Sequence, residues 1–255
     1  EYRHSFDFLT YDDLRLRIEA LANAWTHHPE HKVNPGEFVC IFGFTGVDYV
    51  TVDLACAYAH TVVAPLQANL PARDVAEVFN DTQPKALAIE INSLDAVVQH
   101  VLAGPPTIRS VIVIDVDLAV DEDRAAVERA RAALSAKGIA VTTLDELTAY
   151  GREFEWTARA PHPERDEHMS ALIFSSGSTG SPKGVIFPER SCRRICTSNP
   201  SPTPTVTLAY APMNHLMGRT AVYGVLAQGG SVYFTVKSDM STLFDDIRIA
   251  RPTFL

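Results

Sequence analysis

The feature that most limits the possible folds is a rhythm. Five short apolar runs recur through the first 144 residues: "EFVCIF" (37–42), "TVVAPL" (61–66), "KALAIE" (85–90), "SVIVID" (110–115) and "AVTTL" (140–144). Each is bounded by polar or turn-forming residues, as a buried strand is. Between them lie longer stretches with helical character: "GVDYVTVDLACAYAH" (46–60), "PARDVAEVFNDTQP" (71–84), "SLDAVVQHVLAG" (93–104) and "DEDRAAVERARAALSAKG" (121–138). Strand and helix exchanging in this way predict βαβ units on a parallel sheet.

Local punctuation agrees with the alternation. "TYDDLRLRIEALANAW" predicts a helix capped by Thr10, with Asp13 three residues on and Leu14, Ile18, Leu21 and Trp25 on one face. Pro71 suits a first helical turn, and Pro84 ends that helix. Residues 151–168, "GREFEWTARAPHPERDEH", lose the periodicity and gain charge and proline. They read as a surface linker between two sheet-building halves, about 1–150 and 169–255. The second half resumes with strands "SALIFSS" (170–176), "TVTLAYAP" (205–212) and "SVYFTV" (231–236), and helices "GRTAVYGVLAQGG" (218–230) and "MSTLFDDIRIARP" (240–252). "TFL" (253–255) reads as the start of a further strand.

Composition removes several function classes. With 46% hydrophobic and 21% charged residues, wholesale disorder is excluded. A net charge of −9 argues against a nucleic-acid partner. No apolar run approaches the ~20 residues that span a bilayer. Cys40 and Cys56 sit in apolar runs and read as core. Cys192 and Cys196 have the spacing of one helix face, with no other metal ligands nearby in sequence. A reducing, cytoplasmic compartment fits these cysteines.

One segment calls for a chemical explanation. "IFSSGSTGSPKGVIF" (173–187) places glycines, hydroxyl side chains and one lysine directly after a strand. Backbone amides freed by glycine, hydroxyl donors and one cation are what a phosphate-wrapping loop needs. A surface turn or a linker would use many of the same residues. Pro182 and Gly184 stand where a Walker loop requires Gly and Ser or Thr, so that class is excluded. The spacing of Gly177, Gly180 and Gly184 also fails the dinucleotide pattern.

"SSGSTGSPKG" resembles the phosphate-loop signature of the adenylate-forming superfamily, which includes acyl-CoA ligases, luciferases, peptide-synthetase adenylation domains and carboxylic acid reductases. "PMNHLMGR" (212–219) resembles a carboxylic acid reductase segment, with Asn214 where Ser is commoner. "PLQ" (65–67) is similar to the same family, and His60 stands where Gly is usual. The resemblance implies a layered α-β-α-β-α fold, with mostly parallel sheets flanked by helices. It implies that Ser175, Ser176, Gly177, Ser178, Thr179, Gly180 and Lys183 surround the phosphates of ATP. His215 would lie at the substrate carboxylate and the nascent acyl-adenylate. Arg219 is expected to be solvated at a helix start, and Met213 and Met217 to line a pocket or the core.

The implied reaction turns a carboxylic acid and ATP into acyl-AMP and pyrophosphate, with Mg²⁺ accompanying the nucleotide. In a carboxylic acid reductase this precedes reduction to an aldehyde, using phosphopantetheine on a carrier domain and NADPH on a reductase domain. The superfamily's ribose-binding Asp, hinge, catalytic Lys, carrier Ser and reductase motifs have no counterpart in these 255 residues. The expectation is therefore the N-terminal portion of an adenylation domain, inactive alone. An acyl-CoA ligase, and a non-catalytic nucleotide-binding or interaction fragment, are the competing readings.

Overall fold

The computed structural model describes residues 6–67, 69–155, 166–176, 182–197, 203–235 and 237–255. The opening helix α1 (Tyr11–His27) begins at a complete capping box. The Asp13 amide donates to Thr10 Oγ1 at 3.1 Å, and the Thr10 amide donates back to the Asp13 carboxylate at 3.0 Å. The apolar face expected from the sequence is the one that packs. Leu21 and Trp25 are wholly buried, and Leu14 and Ile18 lie against the same core. Full burial of an aliphatic or aromatic side chain contributes about 1.5–3 kcal/mol.

The alternation that follows is as the sequence predicts. Strand β1 (Phe38–Phe42), helix α2 (Val47–Ala59), β2 (Val62–Leu66), α3 (Ala72–Thr82), β3 (Ala86–Glu90), α4 (Leu94–Ala103), β4 (Ser110–Ile114), α5 (Asp121–Ser135) and β5 (Ala140–Thr143) come in order. Helix α6 (Leu144–Gly151) starts without a break after β5, on a second capping box between Thr143 and Glu146. Helix α2 ends at His60, whose φ of 57° is left-handed. That conformation favours glycine, so His60 adopts it at some cost in backbone energy.

After the linker region come β6 (Met169–Ser176), β7 (Pro182–Pro188), α7 (Glu189–Thr197), β8 (Val206–Ala209), α8 (Leu216–Leu226), β9 (Ser231–Phe234) and α9 (Leu243–Ala250). Residues 156–165 of the expected linker lie outside the described residues. Seven strands form one sheet in the order β5-β4-β3-β1-β2-β6-β7. All its pairings are parallel except β6 with β7. Strands β8 and β9 form a second, parallel pair, and Phe254 bridges to Thr207 beside it. The two sheets therefore divide after β7 rather than at residues 151–168, because the β6–β7 hairpin extends the first sheet.

Alternate residues of the central strands enter opposite cores. Val39 and Ile41 join α1, α2 and α6 on one face, while Cys40 and Phe42 join α3, α4 and α5 on the other. The first core continues through Met213 and Val222 to Ala209 and Val232 of the second sheet. The layers run from helices to sheet, to helices, to the second sheet, with α9 also packed on β8. Strand β7 is the outer strand of the large sheet, and its Val185 and Ile186 are 49% and 63% exposed. Among the described residues, no helix is long and apolar enough to cross a membrane.

Candidate active site

The carboxyl ends of β2 and β6 meet at one edge of the large sheet. Val63 of β2 pairs with Ala171 of β6. Four residues on from each, Gln67 and Ser175 stand at the same level, at the edge where α/β sheets bind ligands. The β6–β7 hairpin sets Ser175 opposite Lys183 and Ser176 opposite Pro182. Ser175 Oγ reaches the Lys183 carbonyl at 3.5 Å, and both side chains are exposed. Gly184 opposes Phe174, and a Cβ on it would sit 2.9 Å from Leu172 Cδ1, so the hairpin closes tightly there. Gly177, Ser178, Thr179 and Gly180 lie outside the described residues, as does the side chain of Ser176.

His215 is the N-cap residue of α8 and is exposed. Its Nε2 lies 3.2 Å from Nε2 of Gln67. The histidine tautomer sets which of the two donates. The turn before α8 is held by the His215 amide donating to the Pro212 carbonyl at 3.1 Å. Gly218 packs so closely on this turn that a Cβ would fall 2.3 Å from the Pro212 carbonyl oxygen. The small residue thus lets the first turn of α8 fold back beneath His215.

Arg219 is not the solvated helix-start residue expected from the sequence. It is buried, because Asp53 on α2 receives it. Arg219 Nη2 donates to Asp53 Oδ1 at 2.9 Å. Its Nη1 lies 2.8 Å from Oδ2, close enough for ion pairing but not aimed for a hydrogen bond. The Tyr223 hydroxyl donates to the same carboxylate, and its ring centre is 5.5 Å from the guanidinium. Burial pulls the Arg219 pKa down, but Asp53 foremost, then Tyr223 and Tyr49, hold it above its ordinary value. Burial and Asp53 push the Tyr223 hydroxyl well up, so it stays a donor. The pair clamps α8 to α2 directly below His215.

The methionines divide. Met213 is fully buried in the core, whereas Met217 is 75% exposed because it follows the outer side of α8. Asn214 is buried, with no hydrogen-bond partner for Oδ1 among the described residues. Gln67 lies in "PLQ", and no local pattern there marks it as a partner of His215. Asp53 carried a signal of its own, an acid flanked by Val52 and Leu54 within an apolar helix.

A model of AMP-binding enzymes matches residues 2–255. The chain belongs to the AMP-binding enzyme family. Among curated relatives, this family member is 39% identical over 255 residues to the carboxylic acid reductase of Mycobacterium tuberculosis, covering 98% of this chain and 21% of the relative. Among solved structures, it superposes on the A-PCP didomain of carboxylic acid reductase from Segniliparus rugosus, in complex with AMP. That superposition has a TM-score of 0.93 and 36% identity, over 98% of this chain and 36% of the other. The A domain from the same organism, in complex with AMP and a co-purified carboxylic acid, superposes with a TM-score of 0.92 and 33% identity, over 98% and 41%. The chain thus spans about a fifth of the length of the curated relative.

Proposed function

We propose that this AMP-binding family member takes part in the ATP-dependent activation of a carboxylic acid, as the first step of its reduction to an aldehyde. A substrate carboxylate oxygen attacks the α-phosphorus of ATP. The new oxygen–phosphorus bond gives the acyl-adenylate, and the broken one releases pyrophosphate with its electron pair. Such chemistry rests on positioning and charge stabilisation more than on covalent help from the protein.

Ser175, Ser176, Gly177, Ser178, Thr179 and Gly180 are assigned to the β- and γ-phosphates through amides and hydroxyls, with Lys183 adding a positive charge. His215 is assigned to the carboxylate and adenylate, where a hydrogen bond meets charge as it shifts during attack. Gln67 holds its ring. Mg²⁺ would accompany the triphosphate. Among the described residues no group of three His, Cys, Asp or Glu side chains could hold an ion. Phosphopantetheine and NADPH, with carrier and reductase domains, belong to the wider reading, and no residue of this chain is assigned to them. A reducing cytoplasm agrees with Cys40, Cys56, Cys192 and Cys196 all being free thiols.

The observation that carries the reading is His215 on Gln67, at the sheet edge that also bears Ser175 and Lys183. Carboxylate-dependent ATP–pyrophosphate exchange tests it, run on the longest protein that carries this segment. Exchange with aliphatic or aromatic acids is expected, and its loss in His215→Ala. No exchange with any acid in a panel would remove the reading.

A further inference from the structure

The other edge of the large sheet holds a cavity of about 710 Å³. It lies where β3, β4 and β5 begin, beside the segment that follows α1. Strands of five residues at ~3.3 Å each put this edge roughly 15 Å from the one bearing Ser175 and Gln67. Lys32, Lys85, Arg109 and Arg131 line it, with Glu30 the acidic side chain among its walls. The buried His31 forms part of the wall, its Nδ1 2.7 Å from Ser110 Oγ.

Arg131 is accounted for. It donates to Glu128 at 2.8 Å, to Glu146 at 2.7 Å and to the Val141 carbonyl at 3.2 Å. Lys32, Lys85 and Arg109 differ. Among the described residues, none of their side chains makes an ion pair or hydrogen bond. The chain has 31 acidic residues to 22 Lys and Arg, so carboxylates are in excess. Arginines elsewhere draw on that excess: Arg15, Arg17, Arg73, Arg124 and Arg129 are all paired. Three cations left together in one concavity, with Lys85 half-buried, form a local field opposite in sign to the molecule's net charge.

We propose that this cavity is an anion site that takes a small phosphate-bearing molecule. Its volume lies within the ~300–1,000 Å³ typical of small-ligand pockets. A guanidinium offers paired donors to phosphate oxygens, and ammonium groups add point charge. The neutral His31 supplies a polar ring without adding to the repulsion among the cations; burial foremost, and then His28, lowers its pKa to about 4. A concave wall favours a small ligand over an acidic protein surface.

The test is an NMR titration of the longest protein that carries this segment with inorganic phosphate, against sodium acetate at matched ionic strength. Phosphate should give saturable shifts of the His31 ring and the Arg109 and Ser110 amides, while acetate should not. Lys85→Gln/Arg109→Gln should weaken the phosphate response about tenfold or more. Lys32→Gln should weaken it less. Non-saturating shifts, equal shifts with acetate, or full binding by the folded double variant would each overturn the proposal. Saturation by an acidic peptide alone would overturn it too, in favour of a protein partner.

Discussion

Asp53→Ala tests the clamp beneath His215. Asp53 and Arg219 retain only 2% and 7% side-chain exposure, and their contacts are 2.8 and 2.9 Å. Removing the carboxylate leaves a guanidinium in the interior without its counter-charge and deprives the Tyr223 hydroxyl of its acceptor. Breaking a buried pair from one side costs about 3–5 kcal/mol. At ~2–4 °C of Tm per kcal/mol for a chain of this size, the fall should be roughly 6–20 °C. Urea unfolding and calorimetry at pH 7 measure it. Asp53→Leu/Arg219→Met removes both charges and should recover much of the loss, short of the cost of the Tyr223 hydroxyl left without its acceptor, since replacing a buried pair by apolar groups is near neutral. The reasoning fails if Asp53→Ala loses under about 1 kcal/mol, or if the double variant is no better than the single.

Lys183→Ala should slow adenylation in ATP–pyrophosphate exchange while leaving Tm within about 1–2 °C, because the side chain is exposed and supports no core; collapse of stability with exchange intact would contradict the phosphate role. Gly218→Ala should destabilise by about 1–3 kcal/mol, although alanine normally favours a helix, because its Cβ would meet the Pro212 carbonyl oxygen at 2.3 Å; urea midpoints decide it. Asp115→Asn should raise Tm at pH 8. Burial, then Asp48 and Glu90, push the Asp115 carboxyl up to about 7 against the opposing Arg17. A carboxyl whose folded pKa is raised favours the folded state at low pH and loses that contribution as pH rises through about 7. The gain from Asn should therefore shrink between pH 7 and pH 4, and a pH-independent gain would rule out the cause. Asp115 is exposed to solvent even though its carboxyl is crowded by Asp48 and Glu90, so screening makes the effect much smaller than for a buried acid.

Most of the fold was legible because its signals are local. Thr10 and Asp13 mark α1 within four residues, and apolar runs mark β1 to β5. Helix α6 carried the same signal in Thr143 and Glu146, yet it is only eight residues long and joins β5 without a loop, so no punctuation separates them. The antiparallel strand β7 has no local signal of its own, because "KGVIF" is short and runs straight on from the polar loop. In the site, His215 was visible through its motif, whereas the fate of Arg219 was not. Its partner Asp53 is 166 residues away, and no local pattern encodes a pairing over that span. Gln67 and His215 are likewise joined only by the fold, across 148 residues.

The outward side of β7 has a practical consequence. Its backbone ladder is unpaired on one side among the described residues, and Val185 and Ile186 flank it with β-branched surface. Such an edge is a template for strand addition between molecules. At the concentrations used for spectroscopy, the chain handled by itself should self-associate through this edge. A charged residue at position 186 is the economical way to keep it monomeric.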